Sequence, residues 1–275
     1  MVAPDMSDIV TVHSFSRGTG KSVVSVNMAA YLAYIGKRVA IVDLNLLTPS
    51  LHITLGVSTE QIGYTIQDYL SGICDAEHAP IDVTDSISPN AAGKLFLIPA
   101  SSDIMLRRLP REAYSADRLL EGCSQLSSAA DLDLLILDCE AGLTETTLPA
   151  LATADMLVAV MRLDQHDYQG TSVGTDVAAR LGVPNIGIVV NMVSSEQDFD
   201  SVVNKMQDAY GRPVYAVLPN SKTSLALAKH GVLVLENPNH PLSRGIIRVA
   251  ERSLMLEPPT TSAFQPSEHD DMRQP

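Results

Sequence analysis

The sequence predicts an α/β fold: a single doubly wound, mostly parallel sheet with helices on both faces. Three observations point there. The run Ile9–Val12 is apolar and largely β-branched, breaks at Gly18 and Gly20, and gives way to the apolar, helix-length segment Val23–Ile35. Short aliphatic runs then alternate with helix-length stretches along most of the chain, as strand–helix–strand crossovers require. The chain is 45% hydrophobic but only 4% aromatic, with no tryptophan, so its core is aliphatic, as in parallel sheets covered on both sides.

Each element follows from its residues. Arg38–Asp43 reads as a short apolar strand ending in a carboxylate. Leu44–Leu51 is a loop broken at Thr48-Pro49-Ser50, with Pro49 suited to the first position of a short helix. Thr65–Gly72 reads as a short helix stopped by glycine, and residues 73–93 are polar and rich in turn formers. Lys94–Ile98 is a strand and Ala116–Ala130 an amphipathic helix. Leu132–Asp138 is the most hydrophobic strand and again ends in an acid. Strand Met156–Met161, helix Tyr168–Leu181, strand Asn185–Val190, helix Gln197–Tyr210 and strand Pro213–Val217 follow. A helix from Ser221 and a last helix, Ser243–Leu256, complete one domain over 1–256. Residues 257–275, rich in proline, serine and acid, are expected to form a disordered tail.

Strand, glycine-rich turn, Gly20-Lys21-Ser22 and helix, in that order, make a phosphate-binding loop. Backbone N–H groups of Ser16–Val23 would face the anion at the helix N-terminus, where the helix dipole favours negative charge. Lys21 would reach the β- and γ-phosphates of ATP or ADP, and the Ser22 hydroxyl would ligate Mg²⁺. The strict pattern has glycine or a small residue where Ser14 or Phe15 stands. Ligands of such sheets bind beyond the carboxyl ends of the strands, where Asp43 and Asp138 also lie. Ser22, Asp43 and Asp138 are therefore the candidate metal set, a carboxylate after an apolar strand being a usual partner of Mg²⁺. Asn191, ending IGIVVN, is placed to hydrogen-bond a base through its amide, and Pro219 joins it in the cofactor-binding set.

Composition excludes other classes. The net charge of −13 argues against a broad nucleic-acid face or adsorption on anionic lipid, both of which need clustered Lys and Arg. The dense basic cluster Met105–Arg111 reads as a solvated face. Cys74, Cys123 and Cys139 are widely spaced, with no C-x-x-C pair, as expected of reduced thiols. The opening MVAPDMSD lacks a signal-peptide pattern and no apolar run has the length of a membrane span, so a cytoplasmic location is expected. His166 with Asp164 and Asp167 reads as a helix start and not as a metal cluster. The last helix, with Arg248 and Arg252 one turn apart, reads as a packing helix.

The run SFSRGTGKSVVSVNMAAYLAYIGKRVAIVDLNLLTPSLH resembles the MinD/ParA family of deviant Walker A ATPases, and LILDCEAGL and VVNMV resemble its later segments, together covering roughly residues 8–256. The resemblance implies binding of ATP and Mg²⁺, an ATP-dependent homodimer, and recruitment of a protein partner or cargo by a positioning or regulatory switch. The chain departs from that pattern at three places. Ser16 stands where the family has its signature lysine, with Arg17 next to it as a substitute cation or a phosphate contact in cis. Asp43-Leu44-Asn45 replaces the family's D-x-D, so the second, water-orienting acid is an amide. Such help is worth about 10²–10⁴-fold, and slow turnover or none is expected. Glu140 stands where the family has proline, a further carboxylate near the phosphates. The catalytic candidates are Lys21, Asp43, Asn45 and Arg17. The alternatives are a non-hydrolysing scaffold for a secretion or pilus system, and a metabolic or metallochaperone ATPase, against which the missing C-x-x-C pair counts.

Overall fold

The structure is a computed structural model describing residues 7–101, 114–220 and 232–256. Eight strands form one sheet: β1 (Asp8–Ser14), β2 (Arg38–Leu44), β3 (Ile81–Asp82), β4 (Lys94–Ile98), β5 (Leu134–Ala141), β6 (Met156–Met161), β7 (Asn185–Val193) and β8 (Val214–Pro219). Their order is β3-β4-β2-β5-β1-β6-β7-β8, and every pairing is parallel except β3 with β4. This is the doubly wound sheet the alternation predicts. The antiparallel edge strand β3 lies in the polar stretch 73–93 and is too short for a hydrophobic period to show.

The helices are α1 (Lys21–Tyr34), α2 (Leu51–Thr54), α3 (Ile66–Leu70), α4 (Thr84–Ile87), α5 (Ala116–Ala130), α6 (Thr147–Ala152), α7 (Gln165–Arg180), α8 (Phe199–Tyr210), α9 (Leu233–Glu236) and α10 (Pro241–Arg252). Strand residues alternate between two buried layers. Val10, Val12, Val39, Ile41, Leu134 and Ile136 pack with α1, α9 and α10. Ile9, Ala40, Val42, Leu135 and Leu137 pack on the opposite face with α3, α5 and α6, and α7 and α8 cover the β6–β8 half of that face. A sheet buried on both sides needs near-continuous aliphatic strands, which is why β2, β5 and β6 carry few polar residues.

Several boundaries move for local reasons. Pro49 precedes α2 and is not its first residue; Leu51 opens the helix after Ser50. Asp164 accepts from Asp167 N at 2.9 Å and caps α7, so the helix begins at Gln165, ahead of the expected Tyr168. His240 caps α10 with Pro241 in its first turn, two residues before the expected start, and α10 packs on α1 and β8 as a domain helix. The sequence reading missed α6, six residues long. The cluster Met105–Arg111, the helix from Ser221 and the tail 257–275 lie outside the described residues. Among the described residues no helix is long and apolar enough to cross a membrane.

Candidate nucleotide site

The switch in winding direction places the loop after β1 at the carboxyl end of the sheet, beside β5. From β1 the chain crosses to β2 on one side, and from β5 to β6 on the other. The loop turns at Gly18 (φ +72°) and Gly20 (φ +87°), left-handed conformations that favour glycine. Gly20 caps α1 without a side-chain hydrogen bond, which leaves the first-turn N–H groups for an anion. A cleft of about 260 Å³ opens over this terminus, lined by Ser16–Val23, by Asn45 and Thr48 from the loop after β2, and by Glu140 near the end of β5.

Beneath it lies a hydroxyl–carboxylate–ammonium cluster. Ser22 Oγ donates to Asp138 Oδ2 at 2.7 Å, Ser25 Oγ to Oδ1 at 2.8 Å, and Lys21 Nζ lies 3.4 Å from Oδ1. Lys21 is only 7% exposed and Asp138 is fully buried. A buried ion pair is tolerated because every partner is satisfied. Ser25 was not singled out from the sequence; its spacing from Ser22, three residues on one helix, is the signal that could have found it.

Asp43 stands in register with Asp138 across β2 and β5. Its Oδ1 accepts from Asn45 N at 3.0 Å and its Oδ2 from Ser50 N and Leu51 N at 3.1 Å each. Both oxygens expected at the metal thus hold the loop 45–51 and the start of α2. Burial, and next the charge of Asp138, push its pKa up to about 7, with the three amide bonds pulling the other way. Asn45 Nδ2 donates to Thr48 O at 3.0 Å and its Oδ1 accepts from Thr48 Oγ1 at 3.2 Å, so the amide closes its own loop.

Asn191 is buried and supports the loop: its Nδ2 donates to Thr19 O at 2.7 Å and its Oδ1 accepts from Met192 N at 2.8 Å. The amide expected at a base is engaged with protein at both ends. Pro219 ends β8, in register with Val193, and does not line the cleft. Arg17 is exposed at the cleft. Ser16 Oγ lies 3.0 Å from His166 Nδ1. The His166 ring is 5.3 Å from that of Phe15, and Phe15 packs where a Cβ on Gly170 would sit. The α7 start thus buttresses the loop from behind, and among the described residues no group of three or more His, Cys, Asp or Glu is placed to hold a metal ion.

His13 Nε2 donates to Gly142 O at 2.8 Å. Burial, and the Lys21 charge after it, hold its pKa down to about 4 against that bond, so the ring is neutral.

The residues fit a Mg²⁺-bound phosphate chain. Ser22 and Asp138 are the hard oxygen donors Mg²⁺ takes. The Thr19 hydroxyl, in the wall of the cleft, is buried without a hydrogen-bond partner among the described residues, a donor left for an anion.

Known proteins resemble the chain in sequence and in fold. The family of CobQ/CobB/MinD/ParA nucleotide-binding domains matches residues 10–234. An uncharacterised ATP-binding protein of Methanocaldococcus jannaschii is 28% identical over 249 residues, 90% of this chain and 88% of its own. The septum site-determining protein MinD of Synechocystis is 26% identical, over 84% of this chain and 83% of its own. In fold, the chain is similar to the MinD of Pyrococcus horikoshii solved with Mg-ADP. That TM-score is 0.74 at 23% identity, covering 90% of this chain and 96% of the other.

Proposed function

We propose, for a chain that belongs to the CobQ/CobB/MinD/ParA nucleotide-binding family, that it binds ATP and ADP with Mg²⁺ and acts as a slow nucleotide-dependent switch. One observation carries the reading: Lys21, Ser22 and Ser25 converge on the buried carboxylate of Asp138 directly under an uncapped helix N-terminus. The Pyrococcus horikoshii relative was solved with Mg-ADP, and the donor set here suits the same ligand. Mg²⁺, held by Ser22 and Asp138, would neutralise charge on the β- and γ-phosphates. Lys21 would turn from Asp138 toward the phosphates, and Arg17 would add a second cation at the cleft.

The switch is read from the loop after β2. Asp43 ties Asn45, Ser50 and Leu51 in one arrangement, and Asn45 and Thr48 line the cleft. A γ-phosphate contacting that loop would bias its position, and with it the exposed Leu47 and Ile53 nearby. Such a surface suits a second copy in the ATP state and then a protein partner. A non-hydrolysing scaffold is the second reading, favoured by the amide of Asn45 being closed on Thr48.

The test is molar mass by light scattering in ATP, ADP and no nucleotide, with ATP turnover measured alongside. A dimer in ATP alone, with slow release of phosphate, supports the switch. An ATP dimer without turnover favours the scaffold, and a monomer in all three conditions contradicts both.

A further inference from the structure

We propose that Glu140 orients the attacking water for hydrolysis of a nucleoside triphosphate in this cleft. This rests on reading the cleft as a triphosphate site. Glu140 is 7% exposed, yet among the described residues it is the only carboxylate lining the cleft; Asp43 and Asp138, both fully buried, lie beneath.

Two features of the sheet put it there. The β1–β5 register slips between Val12 and Ser14: Val12 pairs with Asp138 but Ser14 with Ala141, so Cys139 and Glu140 together oppose His13. Such a bulge re-aims a side chain at a strand end. Along β2–β5 the last pair is Leu44 with Cys139, so Asn45 and Glu140 each follow it by one residue. The acid thus leaves the end of β5 where the amide leaves the end of β2, and both line the cleft.

The side chain is held but not used up. Oε1 accepts from Thr146 Oγ1 at 2.7 Å, at the start of α6, and Oε2 has no donor among the described residues. A carboxylate only accepts hydrogen bonds, so a water donating to Oε2 keeps its lone pairs for the phosphorus. Asn45, by contrast, has both amide atoms on Thr48. In the step, the water oxygen bonds to the γ-phosphorus and the bond to the bridging oxygen breaks. The electron pair leaves on the diphosphate, and the proton of the water ends on the released phosphate. Lys21 and Arg17 offset the repulsion between this carboxylate and the phosphates.

The experiment compares wild type, Glu140→Gln and Glu140→Ala in three measurements. These are equilibrium binding of ATP and of ADP, single-turnover hydrolysis, and trapping of ADP with aluminium fluoride, which copies the phosphoryl group in line with water. Glu140→Gln keeps the size and the Thr146 bond and guards against a folding defect. Both variants should bind ATP and ADP within about threefold of wild type, lose at least about 100-fold in hydrolysis, and fail to trap ADP–aluminium fluoride. Glu140→Gln hydrolysing or trapping like wild type would overturn the proposal. So would a wild type that binds ATP and never hydrolyses it. A wild type that binds no nucleotide would instead remove the site reading on which the proposal stands.

Discussion

Asp43 and Asp138 face each other in register on neighbouring parallel strands, both without exposed surface, and they differ in what they hold. Asp138 takes two serine hydroxyls and a lysine from α1. Asp43 takes three backbone amides from the loop that follows its own strand. One acid thus anchors the phosphate side of the cleft and the other fixes the loop that would sense what is bound there. Burial, and next the charge of Asp138 beside it, raise the proton affinity of Asp43.

The Asp138 cluster predicts a graded loss of metal-dependent binding. Asp138→Asn should weaken Mg-ATP binding at least about tenfold while leaving metal-free ATP binding nearly unchanged. Ser25→Ala removes the shorter of the two contacts to Oδ1 of the same carboxylate and should raise the Mg²⁺ concentration for half-maximal ATP binding about tenfold, in the range for groups that orient a metal ligand. Nucleotide fluorescence titrated with Mg²⁺, against an EDTA control, reads both.

Gly20 cannot be replaced without cost. Its φ of +87° is strained for any side chain, and a Cβ there would collide with Asn191 Nδ2. Gly20→Ala should destabilise the fold by about 1–3 kcal/mol and abolish phosphate binding together. Thermal unfolding with and without ADP separates the two: the variant should unfold earlier and lose the ADP-induced rise.

The neutral, buried His13 predicts acid sensitivity. Its folded pKa of about 4 lies below the ordinary 6.5, so the unfolded chain binds more protons between those values. Stability from this group is fully present above pH 6.5 and is lost as pH falls toward 4, by up to about 3 kcal/mol. His13→Gln can keep a donor for Gly142 O without titrating. The stability difference between wild type and His13→Gln should shrink from pH 7 to pH 4, as measured by urea unfolding. Taking the difference cancels the opposite trend of Asp43, whose raised pKa favours the folded state as pH falls from 7 to 4.

The sheet and the phosphate loop were legible because their signals are local. Ile9–Val12 and Leu132–Asp138 carry their burial in composition, and Gly18, Gly20, Lys21 and Ser22 carry their chemistry in spacing. What was not legible depends on tertiary choice among equivalent partners. Asn191 has an amide that suits a base, but the loop carbonyl of Thr19 reaches it first. Asp43 follows an apolar strand as Asp138 does, yet the backbone of 45–51 folds over its carboxylate and not over that of Asp138. The place of Glu140 in the cleft depends on a one-residue slip between β1 and β5, which no single strand's pattern contains. Ser16 and His166 are 150 residues apart in sequence, and they meet where Phe15 packs on Gly170 and the His166 ring.

The central claim is that Lys21 and the α1 N-terminus hold the phosphates of a Mg²⁺-bound nucleotide. Calorimetric titration of ATP with Mg²⁺ into wild type and Lys21→Ala tests it most directly. The account predicts saturable one-to-one binding by wild type and a loss of about 100-fold or more in Lys21→Ala, with the fold unchanged by circular dichroism. Equal binding by the two proteins, or none by wild type, would contradict it.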